Sequence, residues 1–206
     1  MKNIFTTLSI TFAVLFSFSS IAQITISPYY GGPNTTSVGL LADDNYIFEV
    51  YNTPMEIEFS NIGPLGLVAS YAFENKIAVG LDINYTTCKT SFSYFESYND
   101  SISGDSYNME AERAVIRAMM RFDAHFGDNE RFDPYLSLGL GYRTTSTSYI
   151  SDRPGFVETP RETLIPVAFR LAAGLNVWII DELGIMLETG LGGGGLGRFG
   201  VTYRIQ

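Results

Sequence analysis

Apolar and polar residues alternate one by one along much of this 206-residue chain. In the segment 135–143, Leu136, Leu138, Leu140 and Tyr142 share one face, while Ser137, Gly139, Gly141 and Arg143 share the other. Because successive side chains of a β-strand point to opposite faces, this period of two predicts strands whose faces meet different environments. From this pattern we predict eight strands, at residues 24–31, 62–73, 76–94, 109–126, 132–149, 163–178, 183–192 and 196–205.

The segment 111–126, AERAVIRAMMRFDAHF, also fits a helix. Arg113, Arg117 and Arg121 are four residues apart and would form one stripe on a helix. As a strand, the segment has an apolar face that includes Ile116, and every charge after Glu112 lies on the opposite face. Because five other segments are two-faced in the same way and the turn-like GDNERFDP follows, we predict a strand.

The links between the predicted strands alternate in length. Short turns fall at 74–76, 127–131 and 180–182, long polar loops at 32–61, 95–108 and 150–162, and a Gly-rich link at 192–195. Tight turns at one end and larger loops at the other are typical of an up-and-down barrel. The sequence therefore predicts an all-β, eight-stranded antiparallel up-and-down barrel with both termini at the tight-turn end. The course of the first strand stays open, because Pro28 and YYGGP interrupt it.

The side chains on the two faces indicate which solvent lies outside the barrel. The polar faces hold mainly small residues, which suit the narrow lumen of an eight-stranded barrel. The apolar faces hold bulky residues and no charge through the middle of any segment. We therefore predict a transmembrane β-barrel, with a soluble lipocalin-like barrel as the alternative. Aromatic residues near the strand ends, such as Phe126, Phe132, Tyr85 and Tyr142, fit interfacial girdles but also fit ordinary strand propensity.

Charged residues on the predicted inward faces indicate what fills the lumen. Isolated ions in a low-dielectric lumen are costly, so these side chains are expected to pair with one another. We predict a lumenal salt-bridge network, and hence a filled lumen, with a narrow channel as the alternative. Its predicted members are Asp82, Arg113, Arg117, Arg121, Asp123, Arg143, Arg170, Glu188 and Arg198.

The N-terminus indicates export. Lys2 precedes a mainly apolar run at 4–18, and Ser20 and Ala22 are the small residues that a signal peptidase reads. We predict a signal peptide over residues 1–22 and a mature barrel domain over 23–206, against the alternative of an N-terminal membrane anchor. An exported protein of this kind passes through the periplasm.

Composition and the few reactive residues give little sign of chemistry. The formal charge of −9 argues against nucleic acid as a partner. The only histidine, His125, lies beside Asp123 at the tight-turn end and is the one candidate for a lipid-modifying enzyme. Asp43, Asp44 and the pair Glu56 and Glu58 suggest a cation site but fit solvated loop acids better, and Cys88 fits an ordinary strand residue. We predict no catalytic site, metal or cofactor.

The signal segment SSIAQ, the alternating segments and the closing strand GRFGVTYRIQ resemble the small outer-membrane β-barrels of the OmpX and OmpA-transmembrane-domain kind. The "outer membrane protein beta-barrel" proteins common in Bacteroidetes look most similar. The resemblance implies a monomer in the cell outer membrane, with lipid as a partner and the barrel-assembly machinery recognising the last strand. It further implies a structural or surface-interaction role, with a possible extracellular ligand at the loops. The final Gln206 departs from the aromatic residue usual there.

Overall fold

A computed structural model describes residues 23–35, 57–73, 76–98, 101–127, 129, 131–156 and 166–205. The predicted signal peptide, residues 1–22, lies outside this described part. Within it, no helix has the length and apolar character needed to cross a membrane. The eight strands are β1 (Gln23–Asn34), β2 (Ile57–Phe73), β3 (Ile77–Tyr98), β4 (Ser101–His125), β5 (Phe132–Ser151), β6 (Val167–Trp178), β7 (Leu183–Gly192) and β8 (Gly195–Ile205).

The strands form a closed antiparallel barrel in chain order. Each strand pairs with its neighbour in sequence, and β1 closes the barrel against β8, with Ile24 opposite Ile205. The ends of the first and last strands therefore lie together at the end with the short turns. The predicted fold class, an all-β eight-stranded up-and-down barrel, is confirmed.

Side-chain burial follows the predicted period of two. On β5, Tyr135 and Ser137 are each 3% exposed and point into the barrel, whereas Leu136 and Leu138 are about half exposed on its outside. The segment 111–126 lies within β4 and its immediate end, so the strand interpretation of the spaced arginines is correct. Arg117 and Arg121 are buried in the lumen, while Ile116 faces outward.

The barrel wall is much taller on one side than on the other. Strands β3, β4 and β5 have 22, 25 and 20 residues, whereas β6, β7, β8 and β1 have 12, 10, 11 and 12. The upper part of β2 also joins the tall side, with Ile57 opposite Phe92. We call this projecting part the outer sheet and define it as residues 57–62, 87–98, 101–114 and 143–151.

The outer sheet corrects one prediction. The segment 95–108 was expected to be a loop, but β3 continues to Tyr98 and β4 starts at Ser101, with Phe95 opposite Ser106. Its Ser, Asn, Asp and Gly residues have low strand propensity and hide the period of two. Pairing across an antiparallel hairpin outweighs that preference, because strand propensity depends strongly on context.

The other strand bounds differ less from expectation. β1 passes through Pro28 and reaches Asn34, so the interrupted pattern does not end it. β2 begins at Ile57, which makes the end of the expected loop 32–61 a strand, and β5 similarly runs to Ser151. β6 begins at Val167, so Pro166 precedes the strand rather than lying inside it as predicted. Pro166 accepts a hydrogen bond from Arg143 N at 2.8 Å but lacks the N–H with which a residue of the ladder would donate in return.

Candidate functional site

The middle of the lumen is built around Glu188 of β7. Arg121 of β4 and Arg170 of β6 each place a guanidinium nitrogen 2.6 Å from its carboxylate, and Arg198 of β8 lies at 3.5 Å. The Glu188 side chain is fully buried, and the three arginine side chains are at most 3% exposed. Because one carboxylate is shared by three cations from three strands, it fixes their side chains across the barrel.

Two further carboxylates balance the charge of these arginines. Arg198 Nη1 lies 2.6 Å from Asp82 Oδ2, and Arg121 Nε lies 2.8 Å from Asp123. This central ion-pair cluster, Asp82, Arg121, Asp123, Arg170, Glu188 and Arg198, has three positive and three negative side chains. Buried charges are tolerated in a protein when they are paired and hydrogen-bonded, which these contacts provide.

Two tyrosines and an asparagine complete the cluster. Tyr29 OH donates to Asp82 at 2.7 Å, and the Arg198 guanidinium lies 4.3 Å above the Tyr29 ring. Tyr135 OH donates to Glu188 at 3.2 Å, and Asn84 Nδ2 donates to Asp82 at 3.4 Å. Tyr29 and Tyr135 were not among the predicted members of the network. Their positions could have identified them, because Tyr29 lies two residues after Ser27, Tyr135 lies two residues before Ser137, and residues two apart on a strand share a face.

The other predicted network members lie in a separate layer nearer the outer sheet. Arg117 Nη1 donates to Asn84 at 3.3 Å and to Thr86 at 2.9 Å. Arg113 Nε donates to Thr147 at 3.3 Å. Arg143 is partly buried and sits opposite Arg117 in the register of β4 and β5. The structure thus brings six of the nine predicted charges into one ion-pair cluster, and Asn84 links Arg117 to it.

The Gly-rich link between β7 and β8 lies at the end of the barrel that carries the outer sheet, and it folds inward over the cluster. Arg170 Nη1 donates to the carbonyl oxygens of Gly192 and Gly195, both at 2.9 Å, and Arg198 Nη2 donates to Gly193 O at 3.3 Å. Gly192, Gly193 and Gly194 all have positive φ, at 80°, 63° and 91°. This conformation is open to glycine at little cost, so the Gly-rich sequence lets the backbone itself cap buried arginines.

We expect Gly194→Ala to destabilise the barrel more than Gly155→Ala does. Both glycines have positive φ, so alanine is strained by about 1–3 kcal/mol at either position. At Gly194 a Cβ would also lie 2.6 Å from Arg117 Nη1 and 2.9 Å from Thr86 Oγ1, whereas at Gly155 it would meet nothing within 4 Å. Urea unfolding of the refolded variants measures the difference. Equal losses of stability would contradict the close packing of the turn.

The short-turn end of the lumen contains a cavity of about 650 Å³. His125 Nδ1 lies 2.8 Å from Asp133 Oδ1, and Asn176 Nδ2 donates to Asp133 Oδ2 at 3.2 Å. His125 therefore contacts Asp133, while the neighbouring Asp123 is held by Arg121. Arg204 lies 3.7 Å above the ring of Trp178 at the same end.

Cys88 and the acids suggested as a cation site are the remaining candidate residues. Cys88 is fully buried in an apolar cluster on the inner side of the outer sheet, with Phe92, Met109, Ala111 and Tyr149. Asp43, Asp44 and Glu56, the suggested cation ligands, lie outside the described residues, and Glu58 is exposed on β2. Among the residues the structure describes, no group of three or more His, Cys, Asp or Glu side chains is placed to hold a metal ion.

The outside of the barrel carries a continuous apolar belt. None of its outward-facing residues, all of which the structure describes, has a charged side chain. Large side chains in it, such as Leu81, Met120, Leu140 and Leu187, are 43–55% exposed. The belt consists of the alternate outward positions within 24–30, 65–73, 77–85, 116–124, 132–142, 167–177, 183–191 and 199–205.

The chain is similar to three solved structures of small outer-membrane β-barrels. It superposes on the N-terminal β-barrel domain of Pseudomonas aeruginosa OprF with 11% identity, a TM-score of 0.44, and coverage of 89% of this chain and 97% of that one. Ail, the attachment invasion locus protein of Yersinia pestis, was solved with the heparin analogue sucrose octasulfate. It matches with 13% identity and a TM-score of 0.37, and the match covers 89% of this chain and 96% of that one. Neisserial surface protein A matches with 8% identity and a TM-score of 0.26, and the match covers 89% of this chain and 96% of that one.

No protein-family model matches the chain, and no curated protein matches it either. The assignment of the fold rests on the closed strand pairing of this protein.

Proposed function

We propose that this protein is an integral outer-membrane barrel that holds the outer sheet outside the cell for contact with surface partners. The observation that carries this proposal is the apolar belt, since a water-soluble protein rarely exposes a contiguous apolar surface of this extent. Lipid satisfies such a surface, and a closed barrel leaves no strand edge unpaired within the bilayer. The belt therefore supports outer-membrane lipid as the first proposed partner of the protein.

The dimensions of the belt support a membrane span. On β3 it runs from Ile77 to Tyr85, which matches the ~9–11 residues that a tilted transmembrane strand needs. Exposed aromatic residues mark both of its edges: Phe126 and Phe132 at the short-turn end, and Tyr30 and Tyr142 at the other. Aromatic girdles of this kind lie at the two membrane–water interfaces of outer-membrane barrels.

Above the belt the outward side chains include charged and polar residues, together with the exposed Ile62 and Ile150. Lys89 and Glu110 form a 2.6 Å ion pair on the outer sheet, and Glu112 is exposed beside them. On β5 the outward residues of this region include Thr144 and Ser146. Charged groups on the lipid face are costly, so this change in character supports an outer sheet that stands in water.

The central ion-pair cluster favours a structural role for the lumen over conduction. Its six side chains and the inward β7–β8 turn occupy the middle of an eight-stranded barrel, which is narrow to begin with. We accordingly propose a non-enzymatic anchor whose surface contacts lie on the outer sheet and its loops. Recognition of β8 by the barrel-assembly machinery, a monomeric state and an extracellular ligand stay predictions.

Single cysteines at the two ends of the barrel test the proposal. We expect a membrane-impermeant maleimide to label Ser146→Cys in intact cells but to label Asn129→Cys only after the outer membrane is permeabilised. Ser146 faces outward on the outer sheet, and Asn129 lies in a short turn at the opposite end. Cys88 is fully buried and is replaced by alanine in both variants.

Fractionation accompanies the labelling. The barrel should appear in the outer-membrane fraction as a band whose migration changes on heating. Labelling of Asn129→Cys in intact cells, or recovery of the protein in the soluble periplasmic fraction, would overturn the proposal.

A further inference from the structure

The turn between β6 and β7, residues 179–182, differs in character from the other short turns. It begins with Ile179 and Ile180, which are 63% and 56% exposed. No other large apolar side chain that the structure describes is more exposed than Ile179. The segments 74–76 and 127–131, which form the other short turns, contain no large apolar residue. Of the three short turns, the β6–β7 turn alone thus carries bulky apolar residues.

The backbone N–H groups at the start of this turn are hydrogen-bonded within the protein. Ile179 N and Ile180 N donate to the carbonyl oxygen of Leu183 at 2.9 and 3.2 Å. Just before the turn, Trp178 N donates to Arg131 O at 2.9 Å. A polar backbone group that enters an apolar solvent without a partner is costly, so internal hydrogen bonds of this kind allow a turn to leave water. The N–H groups of both isoleucines meet this requirement.

The two sides of the turn differ in polarity. Ile179 follows Val177 by two residues, so it continues the outward face of β6 and extends the apolar belt past the end of the strand. Phe132, which lies opposite Val177 on β5, is also exposed. Asp181, in contrast, borders the short-turn cavity of the lumen. The turn is therefore amphipathic, with its isoleucines on the side of the belt and an acidic residue on the side of the lumen.

From these observations we propose that the β6–β7 turn is a lipid-contacting element embedded in the inner leaflet of the outer membrane. Ile179 and Ile180 contact acyl chains just below the headgroups, while Asp181 and the exposed Glu182 stay with headgroups and water. Amphipathic elements at a membrane surface place their apolar side about 5–10 Å into the boundary between headgroups and acyl chains. Charged residues cost little near that boundary. The inference rests on the proposed outer-membrane location and extends the lipid contact beyond the strands.

Lipid fits this turn better than a second protein does. The isoleucines are continuous with the belt, so one apolar solvent satisfies both surfaces. A stable protein interface buries roughly 800 Å² on each partner, and two isoleucines alone provide much less than that. Arg131, exposed in the neighbouring turn, suits the same depth, because a long basic side chain at the end of a membrane span reaches the lipid headgroups.

Fluorescent labels at three positions test the proposal. Met120→Cys, Ile180→Cys and Asn129→Cys are made in a Cys88→Ala background, and each new thiol receives an NBD group. The mature barrel is folded into phosphatidylcholine vesicles whose lipids carry a doxyl quencher either near the headgroup or deep in the acyl chain. We expect the shallow quencher to act at least about twofold more strongly at position 180 than at position 129, in a polar turn of the same end. The deep quencher should act most strongly at position 120, in the middle of the belt.

Only variants that keep the heat-dependent band shift are compared, and Ile179→Cys replaces Ile180→Cys if the latter does not fold. Quenching at position 120 with equal quenching at positions 180 and 129 would overturn this proposal alone. Absence of quenching at position 120 would overturn the outer-membrane location and this proposal with it. Protection of position 180 from aqueous iodide without quenching by lipid would assign the turn to a protein partner or a second copy, which would also overturn the proposal.

Discussion

Met120→Arg is expected to prevent most of the protein from entering the outer membrane. Met120 lies in the middle of the apolar belt, opposite Leu81 on β3 and Leu140 on β5, and is 55% exposed. An arginine on the lipid face near the bilayer midplane costs about 2–4 kcal/mol, and this falls to about 0–1 kcal/mol near the interfaces. The measurement is the amount of heat-modifiable barrel in the outer-membrane fraction.

Two positions on the same strand provide controls. Ile116 pairs with Tyr85 at the upper edge of the belt, so Ile116→Arg should reduce insertion only slightly. Glu112 lies on the outer sheet, and Glu112→Arg should insert normally. A similar loss in all three variants would point to a folding defect rather than to lipid, and normal insertion of Met120→Arg would show that the belt does not face lipid.

Glu188→Gln is expected to lower the stability of the barrel by about 3–5 kcal/mol, because it removes the carboxylate that three buried arginines share. Amide substitution keeps the shape of the side chain, so the loss reports the charge. The midpoint of urea unfolding in lipid vesicles measures it.

Glu110→Gln is the matched control. Lys89 and Glu110 approach as closely as Arg170 and Glu188, at 2.6 Å, but their side chains are 45% and 32% exposed. Exposed ion pairs contribute about 0–1 kcal/mol, so this variant should be nearly as stable as the parent. Equal effects of the two substitutions would contradict a structural role for the central ion-pair cluster.

The barrel wall could be predicted because its physical rule is local. Each residue of a strand such as 135–143 faces either the outside of the barrel or the lumen, and the two environments select different side chains at alternate positions. The same alternation predicted which charged residues point into the lumen. Tyr29 and Tyr135 also occupy inward positions by this rule. They were missed because tyrosine is common both on the outside of such a barrel and in its lumen, so the residue type does not indicate which face it lies on.

The partners of the lumenal charges could not be predicted, because they depend on stagger between strands. Arg198 meets Asp82 across 116 positions of sequence, and nothing near either residue encodes that contact. The strand ends at 95–98 and 101–108 were missed for a different reason. Nine of the 14 residues at 95–108 are Ser, Asn, Asp or Gly, so the alternation of apolar and polar residues that reveals the other strands is lost there.

The sharing of Glu188 among β4, β6 and β8 has a consequence for how such a chain can change over generations. A substitution at Glu188 leaves uncompensated charge at Arg121, Arg170 and Arg198 together, so it is tolerated only alongside changes at those positions. Homologous sequences should therefore show these four positions covarying as a block, while outward positions of the belt drift independently among apolar residues. The lumenal positions would then stay recognisable in distant homologues after the apolar outer wall has diverged.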